Sequence, residues 1–304
     1  MDNLEFSFYK QGRVERSKTI FFPFVNRNGK ENQLMQAVTR QPAASIVMAA
    51  GRGSRMTHYT GSKTLLPLEP VTSVYEGRHP IILHLMERLP DGPKAVIVNH
   101  CKADVIDATR ASGAVCIEQP DLNGTGGAIL AAEAFIKSLS ADRVIITMGD
   151  VPFVQRRTYL SMVDGLASHD LMILGFSPAD KKQYGVLEIE GGKVKRITEW
   201  KYWRDYTPNH QQELTVCNSG IYAVRRSALT HYLPILAARP QIVRKVVDGK
   251  PTDIEEFFFT DLIEFMVQDG RSVGYLVADD ETETMGIDDV EALEIAQAIF
   301  QNKK

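Results

Sequence analysis

The chain has little cysteine, no long apolar run and almost no net charge, and each shortage removes a class of function. Three cysteines in 304 residues, Cys101, Cys116 and Cys217, are too few and too scattered for a disulfide framework or a CxxC metal site. They read as small buried hydrophobes in a reducing compartment. No apolar stretch reaches the ~18 residues that a bilayer span needs, and the opening MDNLEFSFYK lacks the apolar core of a secretory leader. A soluble, cytoplasmic protein is expected. The 35 basic and 38 acidic residues leave a net charge of −3, which gives no electrostatic footprint for nucleic acid or an anionic membrane. Seven dispersed histidines make no zinc spacing, and no Ser-His-Asp or Cys-His arrangement for covalent catalysis is evident. Internal repeats and low-complexity tracts are also missing, hexapeptide series included.

What is present is an α/β rhythm. At 44% hydrophobic residues the chain can fill a sizeable core. From residue 45 onward, short Val/Ile-rich runs at 45–49, 95–99, 114–119, 144–149 and 171–176 alternate with amphipathic segments at 80–89, 102–111, 127–139 and 157–167. That alternation predicts a mostly parallel sheet covered by helices on both faces. Segments 184–190 and 193–200 flank Gly191-Gly192, a hairpin signal that adds antiparallel pairing. A strand at 216–224, two further helical stretches, a strand at 273–278 and a terminal helix at 290–300 complete the reading. Residues 1–44 lack a clean period and read as an extension to a single domain over 45–304; no chemistry is assigned to them.

In an open α/β sheet ligands lie beyond the carboxyl ends of the strands, so motifs at strand ends carry most weight. After the first strand the sequence runs AAGRGSRM and reaches Lys63 in SKTLLPL. Gly51 and Gly53 read as positions for backbone conformations closed to other residues, letting the N–H groups of Ala49, Ala50, Gly51, Gly53 and Ser54 turn toward phosphate oxygens, with Arg55 and Lys63 adding positive charge. The loop is neither a Rossmann fingerprint, since Met56 takes the place of the third glycine, nor a Walker A loop, since Ser62 separates Gly61 from Lys63. Met148-Gly149-Asp150-Val151-Pro152 closes the VIIT strand with a carboxylate that suits Mg²⁺ or simply a turn. Met285-Gly286-Ile287-Asp288-Asp289 supplies a second, which reads either as a ligand or as a cap of the last helix. In QPDLNGTGG, Gln119 offers a donor and an acceptor to a base edge, while Gly124 and Thr125 allow close approach or cap the following helix.

The order of these pieces, over roughly 44–301, resembles the sugar-1-phosphate nucleotidylyltransferases, most closely the uridylyltransferase domain of bacterial N-acetylglucosamine-1-phosphate uridylyltransferases. The resemblance implies a Rossmann-like three-layer α/β/α fold of the nucleotide-diphospho-sugar transferase (GT-A-like) type, with a mostly parallel mixed sheet. It implies Arg55 and Lys63 as catalytic cations on phosphate. It implies Gln119, Gly124 and Thr125 as readers of a uracil base. Asp150 and Asp288 match the family's Mg²⁺ ligands. Gly149, Gly185 after Tyr184, Glu199 in ITEWK, Asn218 in CNSGIY and Thr260 in FFFTD match its sugar-holding stations, with Phe257–Asp261 as an aromatic wall. Ser62 stands where the family has proline, FFFTD lacks the paired tyrosines of the similar domain, the 69–79 segment is longer, and no acetyltransferase half follows.

The reaction so implied joins a nucleoside triphosphate, UTP by this reading, to a sugar-1-phosphate such as N-acetylglucosamine-1-phosphate. Its alternatives are a nucleotidyltransferase for a non-sugar phosphate (polyol, choline-type or molybdenum cofactor precursor) and a non-catalytic nucleotide-sugar sensor. Neither nucleic acid nor membrane is expected as a partner, and the sequence leaves the oligomeric state open. The aromatic cluster Trp200, Tyr202, Trp203 and Tyr206 reads equally as a lid over the acceptor and as packing of a long connection.

Overall fold

The structure, a computed structural model, describes residues 42–53, 55–56, 59–247 and 250–302. Most of the extension expected at 1–44, and Ser54 and His58, lie outside the described residues.

In chain order the strands are β1 (Ala44–Met48), β2 (Pro67–Ser73), β3 (Glu76–Pro80), β4 (Lys94–Val98), β5 (Val115–Glu118), β6 (Arg143–Met148), β7 (Leu171–Phe176), β8 (Val186–Glu190), β9 (Lys193–Thr198), β10 (Cys217–Arg225), β11 (Gln241–Val247), β12 (Lys250–Glu256) and β13 (Val273–Val277). The helices are α1 (Ile81–Arg88), α2 (Lys102–Thr109), α3 (Gly124–Ala131), α4 (Glu133–Ser138), α5 (Arg156–Gly165), α6 (Trp200–Trp203), α7 (Pro208–Glu213), α8 (Arg226–Ala237), α9 (Phe259–Gln268) and α10 (Val290–Asn302).

The central sheet runs β13-β7-β10-β6-β1-β4-β5. Along it β1 pairs in parallel with β4 and β6, β4 with β5, and β13 with β7, while β10 lies antiparallel between β6 and β7. Every residue of β1 is buried, so the sequence ASIVM must be apolar on both sides. Alternate side chains serve opposite layers: Ile46 packs with Ile129, Ile146, Tyr222 and Leu262 of α3, β6, β10 and α9, whereas Val47 packs with Ile82, Val105, Tyr159 and Met162 of α1, α2 and α5. Burying one such aliphatic side chain is worth about 1.5–3 kcal/mol, and this repeated two-sided burial fixes the register of the strands that end at the site. The mixed, mostly parallel sheet expected from the sequence is the sheet observed.

Several elements differ from expectation. The expected helix at 127–139 starts at Gly124 and breaks at Ala132 into α3 and α4. Two hairpins were not anticipated. β2 pairs with β3, and β11 with β12 between α8 and α9. The first packs on α10, with Leu66, Leu68, Leu293 and Phe300 in one apolar cluster and Gln297 Nε2 donating to Pro67 O at 2.9 Å and Val74 O at 2.8 Å. The expected hairpin β8–β9 is present, its turn made by Gly191 at φ 57° and Gly192 at φ 74°. β9 stops at Thr198, and Glu199 stands at the junction with α6. Among the described residues, no helix is long and apolar enough to cross a membrane.

Candidate active site

A cavity of about 620 Å³ opens at the carboxyl ends of β1, β5 and β6, lined by Met48 and the 49–53 turn, by Gln119 and by Met148 with Asp150. The short parallel strands bring these three ends together, as the doubly wound topology requires. Ala49, Ala50, Gly51 and Gly53 all line it, as do Arg55, Lys63, Gln119, Gly124, Thr125 and Asp288. The two glycines differ. Gly53 sits at φ 63°, in the left-handed region, and an added Cβ would stand 3.3 Å from Lys63 Cδ. Gly51 is outside that region, with nothing within 4 Å of where a Cβ would be. The special backbone expected at both positions is therefore confined to Gly53, while at Gly51 the missing side chain leaves open space. The N–H of Ala49 is committed to Ile97 O at 2.9 Å and so belongs to the sheet.

On one wall four charges meet. Lys63 Nζ forms a close ion pair with Asp150 and donates to Asp288 Oδ1 at 2.9 Å, and Arg55 Nη1 lies 3.0 Å from Asp288 Oδ2. Lys63 is held by a short 3₁₀ turn, Lys63–Leu65, which buried Ser62 steadies through a 2.9 Å contact between its Oγ and Thr64 Oγ1. Burial opposes the lysine's charge, but the two carboxylates outweigh it and hold its pKa above the usual lysine value. Burial would likewise raise the Asp288 pKa, yet Lys63 and Arg55 hold it below the usual carboxylate range. The capping alternative for Asp288 falls to its neighbour: Asp289 Oδ1 accepts from Ala292 N–H at 2.9 Å at the start of α10, while Asp288 faces the cations.

The opposite wall is built from β5 and α3. Gln119 is 3% exposed, its N–H bonded to Val98 O at 2.9 Å and its carbonyl accepting from Asn99 Nδ2 at 2.7 Å. Gly124, at φ 94°, packs so closely on the Phe257 carbonyl that a Cβ would lie 2.4 Å from that oxygen. Thr125 does not cap its own helix; its Oγ1 accepts from Phe259 N–H at 3.1 Å, tying α3 to the first turn of α9. Thr260 follows directly, in that first turn.

A second group lies toward β8 and β10. Gly185 O accepts from Asn218 N–H at 2.8 Å, and an added Cβ at Gly185 would meet Glu199 Oε2 at 3.3 Å. Asn218 Nδ2 donates to Tyr222 OH at 2.9 Å. Gly185, Glu199 and Asn218 are thus neighbours. Glu199 is open to solvent, yet the surrounding protein raises its pKa above the usual carboxylate range, with Lys201 opposing and Asp261 adding. Gly149 stands apart from the cavity: a Cβ there would meet Met48 O at 2.9 Å and Thr64 Cγ2 at 3.2 Å, so its absent side chain allows β6 to close on the Lys63 turn. The expected aromatic wall is only partly one. Phe259 is 1% exposed, with its ring 4.7 Å from that of Tyr222 in the core, which leaves Phe257 and Phe258 partly exposed. Of the aromatic cluster, Trp203 is buried with Phe176 and Leu214 and donates to Tyr184 O at 2.8 Å, which is packing; Tyr202 is exposed. Sequence reasoning passed over Arg52, between the two glycines, and Asn123, next to Gly124; the first lines the cavity and the second bonds Gln119 at 3.0 Å. Their positions within the two motifs were the available signal.

The donor set suits a hard divalent cation. Asp150 and Asp288 already share one cation, the Lys63 ammonium, so both carboxylates reach a common point. Among the described residues no group of three or more His, Cys, Asp or Glu could hold a metal ion. Two carboxylates with coordination left for water and phosphate is the pattern of Mg²⁺ rather than of a structural zinc.

Residues 45–231 match the family model described as a MobA-like NTP transferase domain. The chain is 29% identical over 269 residues to the bifunctional protein GlmU of Novosphingobium aromaticivorans, covering 86% of this chain and 54% of that one. It is 33% identical over 267 residues to the GlmU of Sphingopyxis alaskensis, covering 86% and 53%. The chain thus spans about half the length of the curated relatives it matches. In three dimensions it is similar to the CMP:2-keto-3-deoxy-manno-octonic acid synthetase complexed with CTP, at a TM-score of 0.58 and 18% identity over 86% of this chain and all of that one, a likeness of fold. With the matched segment running from β1 to the middle of α8, and so carrying the glycine turn, Lys63, Gln119 and Asp150, the chain belongs to the MobA-like NTP transferase domain family.

Proposed function

We propose that the chain transfers a nucleotidyl group from a nucleoside triphosphate, UTP in the first place, to a sugar-1-phosphate, N-acetylglucosamine-1-phosphate or a related hexose-1-phosphate, releasing pyrophosphate. The observation that carries the reading is the convergence of Arg55, Lys63, Asp150 and Asp288 on one wall of a cavity whose facing wall holds Gln119, Gly124 and Thr125. An ionised oxygen of the sugar phosphate forms the new bond to the α-phosphorus. The bond to the β-phosphate oxygen breaks, and its electron pair leaves with pyrophosphate. Both partners are anions and the nucleophile is already ionised, so the protein needs no general base and acts by alignment and charge neutralisation.

Asp150 and Asp288 would hold Mg²⁺, which when bound supplies charge neutralisation between the reacting phosphates. Lys63, a flexible point charge kept protonated by its carboxylate partners, would pass to phosphate oxygens near the α-phosphorus. Arg55, largely exposed where it lines the cavity, would hold the departing pyrophosphate. Gly185, Glu199 and Asn218 offer acceptors and a side-chain amide to sugar hydroxyls and an acetamido group, and Glu199 argues for a sugar over a simple alcohol phosphate. A nucleotide sensor without turnover would have no use for this charge cluster.

Pyrophosphate release measured across a grid of nucleoside triphosphates and sugar-1-phosphates tests the proposal. Release with UTP and a hexosamine- or hexose-1-phosphate, lost in excess chelator, is expected. Release only with a non-sugar phosphate, or full activity in chelator, would overturn the acceptor or the metal.

A further inference from the structure

We infer that Asn123 is a positioning residue that, together with the Gly124 carbonyl, fixes the hydrogen-bond polarity of the base site, holding the Gln119 carboxamide so that it offers the cavity an acceptor and selects a pyrimidine with a ring N–H. The inference rests on the proposed reading of the cavity as a nucleotide site and deepens it. A carboxamide has two N–H donors, and both of those on Gln119 are spent inside the protein, on Asn123 Oδ1 at 3.0 Å and on Gly124 O at 3.1 Å. A backbone carbonyl can only accept, so the atom facing Gly124 O must be the amide nitrogen; the opposite flip would set two oxygens against each other. That choice in turn requires Asn123 to present its oxygen. Oε1 is then the polar atom that Gln119 has left for a ligand.

Asn123 is itself constrained. Its N–H donates to Asp121 O and its carbonyl accepts from Phe257 N–H, each at 2.8 Å, while its side chain makes no cap for α3 although it stands at the N-cap position. The side chain fits because residue 127 is glycine: a Cβ there would lie 1.8 Å from Asn123 Oδ1. Asn123 and Gly127 together therefore form the support of Gln119. An acceptor fixed in this way pairs with the N3–H of a uracil or thymine ring and opposes cytosine, whose N3 is also an acceptor. Without Asn123 the Gly124 carbonyl alone opposes the flip, so the amide presents either atom more readily.

The test reads nucleotide binding by calorimetry with UTP and CTP alone, apart from turnover. Wild type is expected to favour UTP. In Asn123→Leu and Asn123→Ala the UTP:CTP affinity ratio is expected to fall roughly tenfold, the scale of one lost hydrogen-bond preference, while Asn123→Asp, which keeps an accepting oxygen, retains the preference. In ¹⁵N spectra the Gln119 side-chain amide protons are expected to exchange slowly in wild type and Asn123→Asp and quickly in the other two. Equal weakening toward UTP and CTP in Asn123→Leu and Asn123→Ala would make Asn123 mere scaffold and overturn the inference, as would a wild type that binds the two alike. A wild type that favours UTP yet releases no pyrophosphate with any sugar phosphate overturns the proposed reaction and leaves the base-site inference standing.

Discussion

Two carboxylates of the site are tuned in opposite directions, and the difference can be measured. Asp288 has its pKa depressed by Lys63 and Arg55 against the effect of burial, so it contributes stability above its unfolded pKa and loses it as pH falls through the folded value. Glu199 has its pKa raised by its surroundings, so its contribution is complete below the unfolded pKa and disappears as pH rises through the folded value. At neutral pH ionised Glu199 is therefore a cost that sugar contacts would offset. Thermal unfolding across a pH series should show Glu199→Gln more stable than wild type near neutrality and equal to it near pH ~4, the usual range of a free carboxyl. Asp288→Asn should be less stable near neutrality, with the gap closing in acid. A Glu199→Gln variant that loses stability at neutral pH would mean that the carboxylate has a partner of its own.

At the scale of elements, the glycine turn and the loop before α10 carry different burdens. Gly53→Ala forces a side chain into the left-handed region and against Lys63, so it should cost about 1–2 kcal/mol of stability and lower turnover by displacing the ammonium. Gly51→Ala meets open space, so the melting temperature should hold while nucleotide binding weakens. Equal melting losses in both would remove the distinction. In the loop before α10, Glu283 is 1% exposed, and its Oε2 accepts from Gln155 N–H at 3.1 Å and Thr158 Oγ1 at 2.6 Å, joining the start of α5 to the segment that leads to Asp288. Glu283→Ala should cost roughly 1–3 kcal/mol by leaving those two donors unsatisfied in the interior. Unchanged denaturant unfolding would contradict that tie.

For the whole molecule, β1 and β6, two of the strands that end at the site, were legible because parallel strands buried on both faces must be Val/Ile-rich runs. Asp150 was legible as a strand-end charge, and Lys63 and Asp288 as charges in the loops that follow β1 and β13. The hairpin β2–β3 was not, since PLEPVTS and EGRHP carry proline and charge and are held by α10 rather than by an internal pattern. β11–β12 was passed over although Asp248-Gly249 is a hairpin signal in the sequence. The break at Ala132 has no glycine or proline to mark it. Phe259 was misread as wall because an aromatic run does not say which ring turns inward, and Asn123 was passed over although it lies four residues after Gln119 in the same motif. A nucleotide bound in this cavity should stabilise the whole unit. At a free concentration of ~100 times its dissociation constant the gain is about 2.7 kcal/mol, readable as a rise in melting temperature. No rise with any nucleoside triphosphate would refute the cavity as a nucleotide site.

The contact between Lys63 and its two aspartates also orders events during synthesis. Arg55, Lys63, Gln119 and Asp150 leave the ribosome in the first half of the chain, but Asp288 arrives only a few residues ahead of α10, the helix that clasps the β2–β3 hairpin beside the Lys63 turn. A nascent chain halted after β13 would have its sheet strands yet hold Lys63 with Asp150 alone and Arg55 with no acidic partner from that loop. The charge balance of the site is thus made only after the sheet, and a chain halted before Asp288 forfeits it, together with the apolar cluster that Ile287 and α10 complete, while keeping the strands of the sheet.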